Sequence, residues 1–168
     1  MRKVMIADAK QDISTGAGCL VILADEAGHQ LLPIMIGEFE ARAIAIGLLK
    51  EPLPRPITYT FMANALETIG ASLEGVCITK RDEGGTFYAV AQFRIGDAVR
   101  EVDARPSDAM ALAVRTGSPI YATDELWQDV AVDISAEMQE SLDKQDRSIL
   151  QERPKKVLTE IFVPKDRR

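Results

Sequence analysis

The sequence has 168 residues, 46% of them hydrophobic and 27% charged, a balance that suits one soluble globular domain and excludes wholesale disorder or a fibrous repeat. Its formal net charge is −6; eight basic and seven acidic side chains fall in 135–168, which leaves 12 basic and 19 acidic ones, a net of −7, in 1–134. An acidic body argues against a tight, sequence-independent duplex binder, which needs a basic face, but leaves room for a local basic groove or a divalent ion.

The two cysteines, Cys19 and Cys77, form no CxxC pair, and His29 is the one histidine, so a thiolate zinc site is nearly excluded. A Cys–His nucleophilic pair would have to recruit His29 out of a turn-like stretch, and unpaired cysteines in apolar surroundings read as small buried hydrophobes. No window approaches the roughly 18 to 20 uncharged apolar residues of a membrane span. Asp8, Lys10 and Asp12 interrupt the apolar run that a signal peptide requires. The expectation is a cytoplasmic protein with no membrane contact.

In chain order, 18–36 reads as a hairpin of strands 19–24 and 30–36 around Gly28, with Pro33 marking an edge or a bulge. A helix follows over 38–50, with Ala41, Ile44, Ala45 and Leu48 on one face and Glu38 and Glu40 in the first turn, where the helix dipole favours acids. Three prolines make 51–56 a stiff connector. A second helix is expected over 58–69, with Phe61, Ala65, Leu66 and Ile69 turned inward and Gly70 just past its end. Strands 73–80, 86–95 and 99–104, joined by turns at 82–85 and 96–97, make a meander, in which Phe87 and Phe93 should pack the core.

A third helix is expected over 107–115, with Pro106 near its start, Ser107 as N-cap and Gly117 past its end; a short strand at 119–122 and a turn of helix at 124–127 come next. The segment 135–150 is helix-compatible but polar, Pro154 breaks it, and 157–163 suits a helix or a strand. This tail, 135–168, is expected to be partly mobile and to lie outside a domain of residues 1–134. The fold class is α+β: an antiparallel or mixed sheet meander with packed Ala-rich helices.

An internal echo links two of these helices. The stretches 40–46 and 108–114 share the pattern acid, Ala, x, Ala, aliphatic, Ala, aliphatic, and each follows a strand and a Gly- or Pro-containing turn. One reading is two similarly packed helices; the sharper one is a duplicated strand-turn-helix unit whose acidic first turns face a common cleft.

The chemistry-bearing residues gather at the same places. Glu38, Glu40, Glu101, Asp103 and Asp108 stand near strand ends and helix starts. Hard cations such as magnesium or manganese take oxygen ligands, and one or two carboxylates with phosphate and water complete their shell, so metal-assisted phosphodiester hydrolysis is chemically open. Acids in a first helical turn are equally common as plain stabilisers. Arg105, fixed before Pro106, suits bidentate phosphate recognition, with Ser107 and the first-turn amides as added donors; the competing account pairs it with Asp103, Asp108 or Glu38 as an internal brace. Walker, GxGxxG, GxSxG and HExxH signatures are absent, and no organic cofactor is expected. Aromatic residues make up 5%, a thin supply for stacking on single strands.

Three stretches, LPIMIGEFEA at 32–41, Arg55-Pro56 with the helix through Leu66-Glu67, and EVDARPSDAMALA at 101–113, resemble the bifunctional nuclease domain family. The similarity runs over roughly residues 3–134 and leaves the tail outside. The resemblance implies an α+β domain, a homo-oligomer with a dimer favoured, and nuclease activity on both DNA and RNA. Glu38, Asp103, Arg105, Ser107 and Asp108 match the family's motif positions. In a metal-dependent phosphodiesterase, Glu38, Asp103 and Asp108 would hold magnesium or manganese. Asp103, Arg105 and Asp108 would then be catalytic, and Arg105 and Ser107 would contact a nucleic acid bound weakly and locally. In a non-catalytic binding or regulatory module, the same residues would cap helices, brace the sheet or bind a small anion.

Overall fold

A computed structural model of the chain describes residues 1–11, 18–50 and 53–134. The expected polar tail, 135–168, lies outside the described residues. The elements are β1 (Arg2–Gln11), β2 (Cys19–Asp25), β3 (Gln30–Ile36), α1 (Glu38–Leu49), α2 (Thr58–Thr68), β4 (Ala71–Arg81), β5 (Phe87–Ile95), β6 (Ala98–Ala104), α3 (Pro106–Thr116), β7 (Ile120–Ala122), α4 (Asp124–Val130) and β8 (Val132–Asp133). All eight strands join one mixed sheet in the order β6-β5-β4-β7-β1-β2-β3-β8. The α+β class follows directly.

The order has an internal logic. β1-β2-β3-α1 and β4-β5-β6-α3 are each an antiparallel meander followed by a helix, laid out on either side of β7. β7 runs parallel to β4 and antiparallel to β1. The repeated unit is thus three strands and a helix, larger than the strand-turn-helix echo in the sequence.

Strand alternation sends one side of each strand into a common core. On β2 and β3, Val21, Leu23, Leu32 and Ile34 are almost fully buried, and they join Val76 and Ile78 of β4, Ile44 of α1, Met110 of α3 and Trp127 of α4. The helices cover this face: α1 packs on α3, β1 and β2; α2 on α3 and β4; α3 on β4 and β5. Small residues set the closest approach, because Gly47 of α1 lies where a Cβ would run into Cγ2 of Val114 on α3. Pro106 at the first helical position and Gly117 in the left-handed region (φ 75°) bound α3.

β1 is an addition to the elements expected from sequence. Val4 is buried and Ile6 and Ala9 pack on the core, whereas Lys3 is exposed; this is the period-2 pattern of a half-covered strand. α2 is a correction. None of its residues is buried, Phe61 is 67% and Ile69 72% exposed, and Tyr59, Ala63 and Leu66 supply the inner side. The helix carries apolar residues on two sides, and the spacing 59, 63, 66 matches the seam against α3 and β4. Phe87 and Phe93 do pack against the core. No described helix is long and apolar enough to cross a membrane.

Candidate functional site

Three helices begin near one point. Glu40 is the third residue of α1, Tyr59 the second of α2 and Asp108 the third of α3, while Arg105 is the N-cap of α3. Arg105 is extended (φ −66°, ψ 143°), the conformation its following proline demands, so its side chain leaves β6 toward the helix layer. Its Nε donates to Asp108 Oδ2 at 2.6 Å, and Nη2 donates to Asp108 Oδ1 and to Glu40 Oε1, each at 3.0 Å. Tyr59 Oη donates to Asp108 Oδ1 at 2.6 Å. One guanidinium and one phenol thus tie together the first turns of α1, α2 and α3.

The electrostatics follow from this wiring. Burial alone would raise the carboxyl of Asp108, but hydrogen bonds from Arg105 and Tyr59 outweigh it and hold the group below its ordinary value. Burial and then the hydrogen bond to ionised Asp108 push the Tyr59 phenol well above its usual range, so it is a neutral donor at physiological pH. The bond to Asp108 raises Arg105 further and fixes its positive charge. The Arg105 side chain remains 64% exposed, against 20% for Glu40 and 33% for Asp108. Its Nε and Nη2 are the atoms engaged by Asp108 and Glu40. None of the N-caps Gly37, Ile57 and Arg105 caps its helix through its side chain, so the first-turn amides of these three helices receive no acceptor from their N-cap side chains.

The other residues singled out from sequence lie elsewhere. Asp103 is exposed on β6 and pairs with Val90. Its neighbour Ala104 pairs with fully buried Ala89, so Asp103 points to the face of the sheet away from the helices. Glu38, the first residue of α1, is exposed and lies close enough to Cys19 to help raise that thiol, after burial. Ser107 is 6% exposed and occupies the second position of α3; the N-cap is Arg105, because Pro106 already holds the first helical position.

The proposed metal trio Glu38, Asp103 and Asp108 is therefore not assembled, and no group of three His, Cys, Asp or Glu able to hold a metal ion occurs among the described residues. The donor set does not fit a divalent cation. Arg105 already lies between the two carboxylates that come together, Glu40 and Asp108. Sequence reasoning missed Glu40 as the second partner of Arg105, and it missed Tyr59. The signal for Glu40 was present in the echo, where Glu40 and Asp108 hold the same position. Tyr59 carried no comparable mark.

A family model for the bifunctional nuclease domain matches residues 21–135, which include the whole Arg105 cluster. The chain belongs to the bifunctional nuclease domain family. The chain is similar to an uncharacterized protein of Mycobacterium tuberculosis, 40% identical over 105 residues that cover 62% of each chain. It is also similar to bifunctional nuclease 1 of Arabidopsis thaliana, 28% identical over 109 residues, 64% of this chain and 34% of the relative. Bifunctional nuclease 2 of Oryza sativa is 26% identical over 103 residues, 60% of this chain and 32% of the relative. The matched part is under two thirds of the length of each of these relatives.

Proposed function

We propose that the protein cleaves phosphodiester bonds of DNA and RNA, and that a backbone phosphate is held at the Arg105 cluster. The observation that carries this reading is Arg105, locked along one edge by Asp108 and Glu40 at the first turns of α1 and α3 and still largely exposed. Asp108 and Glu40 orient the guanidinium, and Nη1 donates to the phosphate oxygens. The first-turn amides of α1, α2 and α3 add positive potential where charge builds up on the phosphate. Tyr59 keeps Asp108 ionised and fixed. No step is assigned to magnesium or manganese, since the guanidinium fills the place between the two carboxylates. The net charge of −7 in 1–134 makes the contact with nucleic acid local.

One observation favours a second reading. Arg105 binds two carboxylates within the fold, so the same cluster can serve a non-catalytic module as a brace between three helices. Purified protein, Arg105→Gln and Asp103→Asn are compared on labelled single-stranded DNA and RNA, with magnesium, with manganese and with chelator. The nuclease reading expects cleavage that is lost in Arg105→Gln at a nearly unchanged thermal midpoint. A lower midpoint with no cleavage by the wild-type protein supports the brace. Loss of cleavage in Asp103→Asn but not in Arg105→Gln would move the reaction to the opposite face of β6. The homo-oligomer and the cytoplasmic location implied above belong to the same proposal, and light scattering at micromolar concentration tests the first.

A further inference from the structure

α2 turns a second apolar side to solvent. While Tyr59, Ala63 and Leu66 pack against the core, Thr58, Met62, Ala65 and Ile69 follow the 4-3-4 spacing of another helical stripe, flanked by Phe61. Phe61 is 67%, Met62 41% and Ile69 72% exposed. With Thr58, Ala65 and Leu66 these side chains line an open groove of about 410 Å³. Apolar side chains of this size, contiguous on one helix, call for a cover.

The groove is symmetric along the chain. Its residues fall into pairs, Thr58 with Ile69, Phe61 with Leu66 and Met62 with Ala65, and every pair is centred on the same point between Ala63 and Asn64. A two-fold axis through that point, perpendicular to the helix, sets each residue against its pair mate on an antiparallel copy. This is the reciprocal contact that an isologous interface requires. Sizes match as well, because Met62 meets Ala65 and Ile69 meets Thr58, so each layer of the seam joins a large side chain to a small one. The 4-3-4 spacing is that of a helix–helix seam, and Ala65 permits the approach of about 8–10 Å that such packing needs.

Charge selects the same partner. Glu67 is the one charged residue in 57–70 and lies on the opposite side of α2 from the stripe, so no like charges meet across the axis. With no Lys or Arg in this stretch, the groove offers no cation to a nucleic-acid backbone or to an anionic lipid surface. A helix of 11 residues is about 16 Å long and offers less than the roughly 800 Å² per partner of a standard interface, so the association is a reversible one.

We infer that two copies of the chain associate through α2, antiparallel, about a two-fold axis between Ala63 and Asn64. Phe61 and Met62 of each copy then cover Leu66 and Ala65 of the other. The starts of the two α2 helices, and with them the two Tyr59–Asp108 bonds, lie at opposite ends of the pair. The inference rests on the homo-oligomer proposed above, whose surface it names, and not on the nuclease activity.

Sedimentation velocity of the full chain, from low to high micromolar concentration, tests it. The wild-type protein should pass from monomer to dimer as concentration rises. Phe61→Glu/Ile69→Glu, substituted at exposed positions, should stay monomeric at a nearly unchanged thermal midpoint. A dimer that persists in the double variant would overturn the inference and leave the homo-oligomer to another surface. A wild-type monomer throughout would overturn both and leave the groove to a different protein. Cysteine cross-linking tests the register, since the native Cys19 and Cys77 are buried. Under mild oxidation, Met62→Cys and Ala65→Cys chains mixed together should form covalent dimer several-fold faster than either variant alone. Equal rates in mixed and separate samples would overturn the antiparallel pairing.

Discussion

Arg105 shows how a surface charge acquires a fixed direction. Its backbone is set by Pro106, its Nε edge by Asp108 three residues on, and its Nη2 by Glu40 from another helix. Removing the hydroxyl in Tyr59→Phe takes away one of the bonds that hold Asp108 and should cost about 1–2 kcal/mol, measurable by denaturant unfolding. The pH dependence has a definite sign. Asp108 is held below its ordinary value of 3.8, so its contribution to stability is fully present above that pH and is lost as the pH falls through the lowered value. Acid unfolding curves of the wild-type protein and Asp108→Asn should therefore lie apart at neutral pH and converge below about pH 3.8, the ordinary carboxyl value. Part of this site was legible in the sequence. Arg105 and Asp108 stand out because the turn of a helix brings residues three apart together. The link to Glu40 spans 65 positions and depends on how α1 and α3 pack, which no local pattern encodes.

At the scale of elements, local signals carried most of the fold. The strand and helix starts at Cys19, Gln30, Glu38 and Thr58 all fall where turn residues and periodicity place them. β1 is hard to read from sequence because a register shift between Ile6 and Asp8 breaks its period-2 alternation. The facing of α2 was misjudged because a helix with two apolar sides does not say which side its neighbours will take. The α1–α3 contact permits a sharp test. Gly47→Ala drives a Cβ into Val114 and should destabilise the protein by about 1–3 kcal/mol, seen as a lower thermal midpoint. Ile44→Ala on the same helix empties a fully buried site and should cost about 2–5 kcal/mol. If Gly47→Ala proved neutral, the two helices would have to sit further apart than the structure places them.

For the molecule as a whole, the acidic balance limits how it meets nucleic acid. A contact centred on one guanidinium releases few counterions, so the log–log dependence of binding on salt should have a slope on the order of −1, shallower than for a basic groove. A steep slope would point to a second, basic contact region. Strand order was the least legible feature, because it rests on pairings between residues far apart in sequence, such as Val4 with Ile120 and Val76 with Ile120. That same arrangement governs the birth of the protein. β7 is three residues long, is made after both meanders, and is the strand that joins them. A nascent chain that has not yet delivered Ile120–Ala122 from the ribosome holds two half-sheets, and β1 and β4 each show a bare edge to any neighbouring strand. Closure of the sheet is then a late event of high contact order, and a chain cut short before residue 120 is a substrate for aggregation or proteolysis.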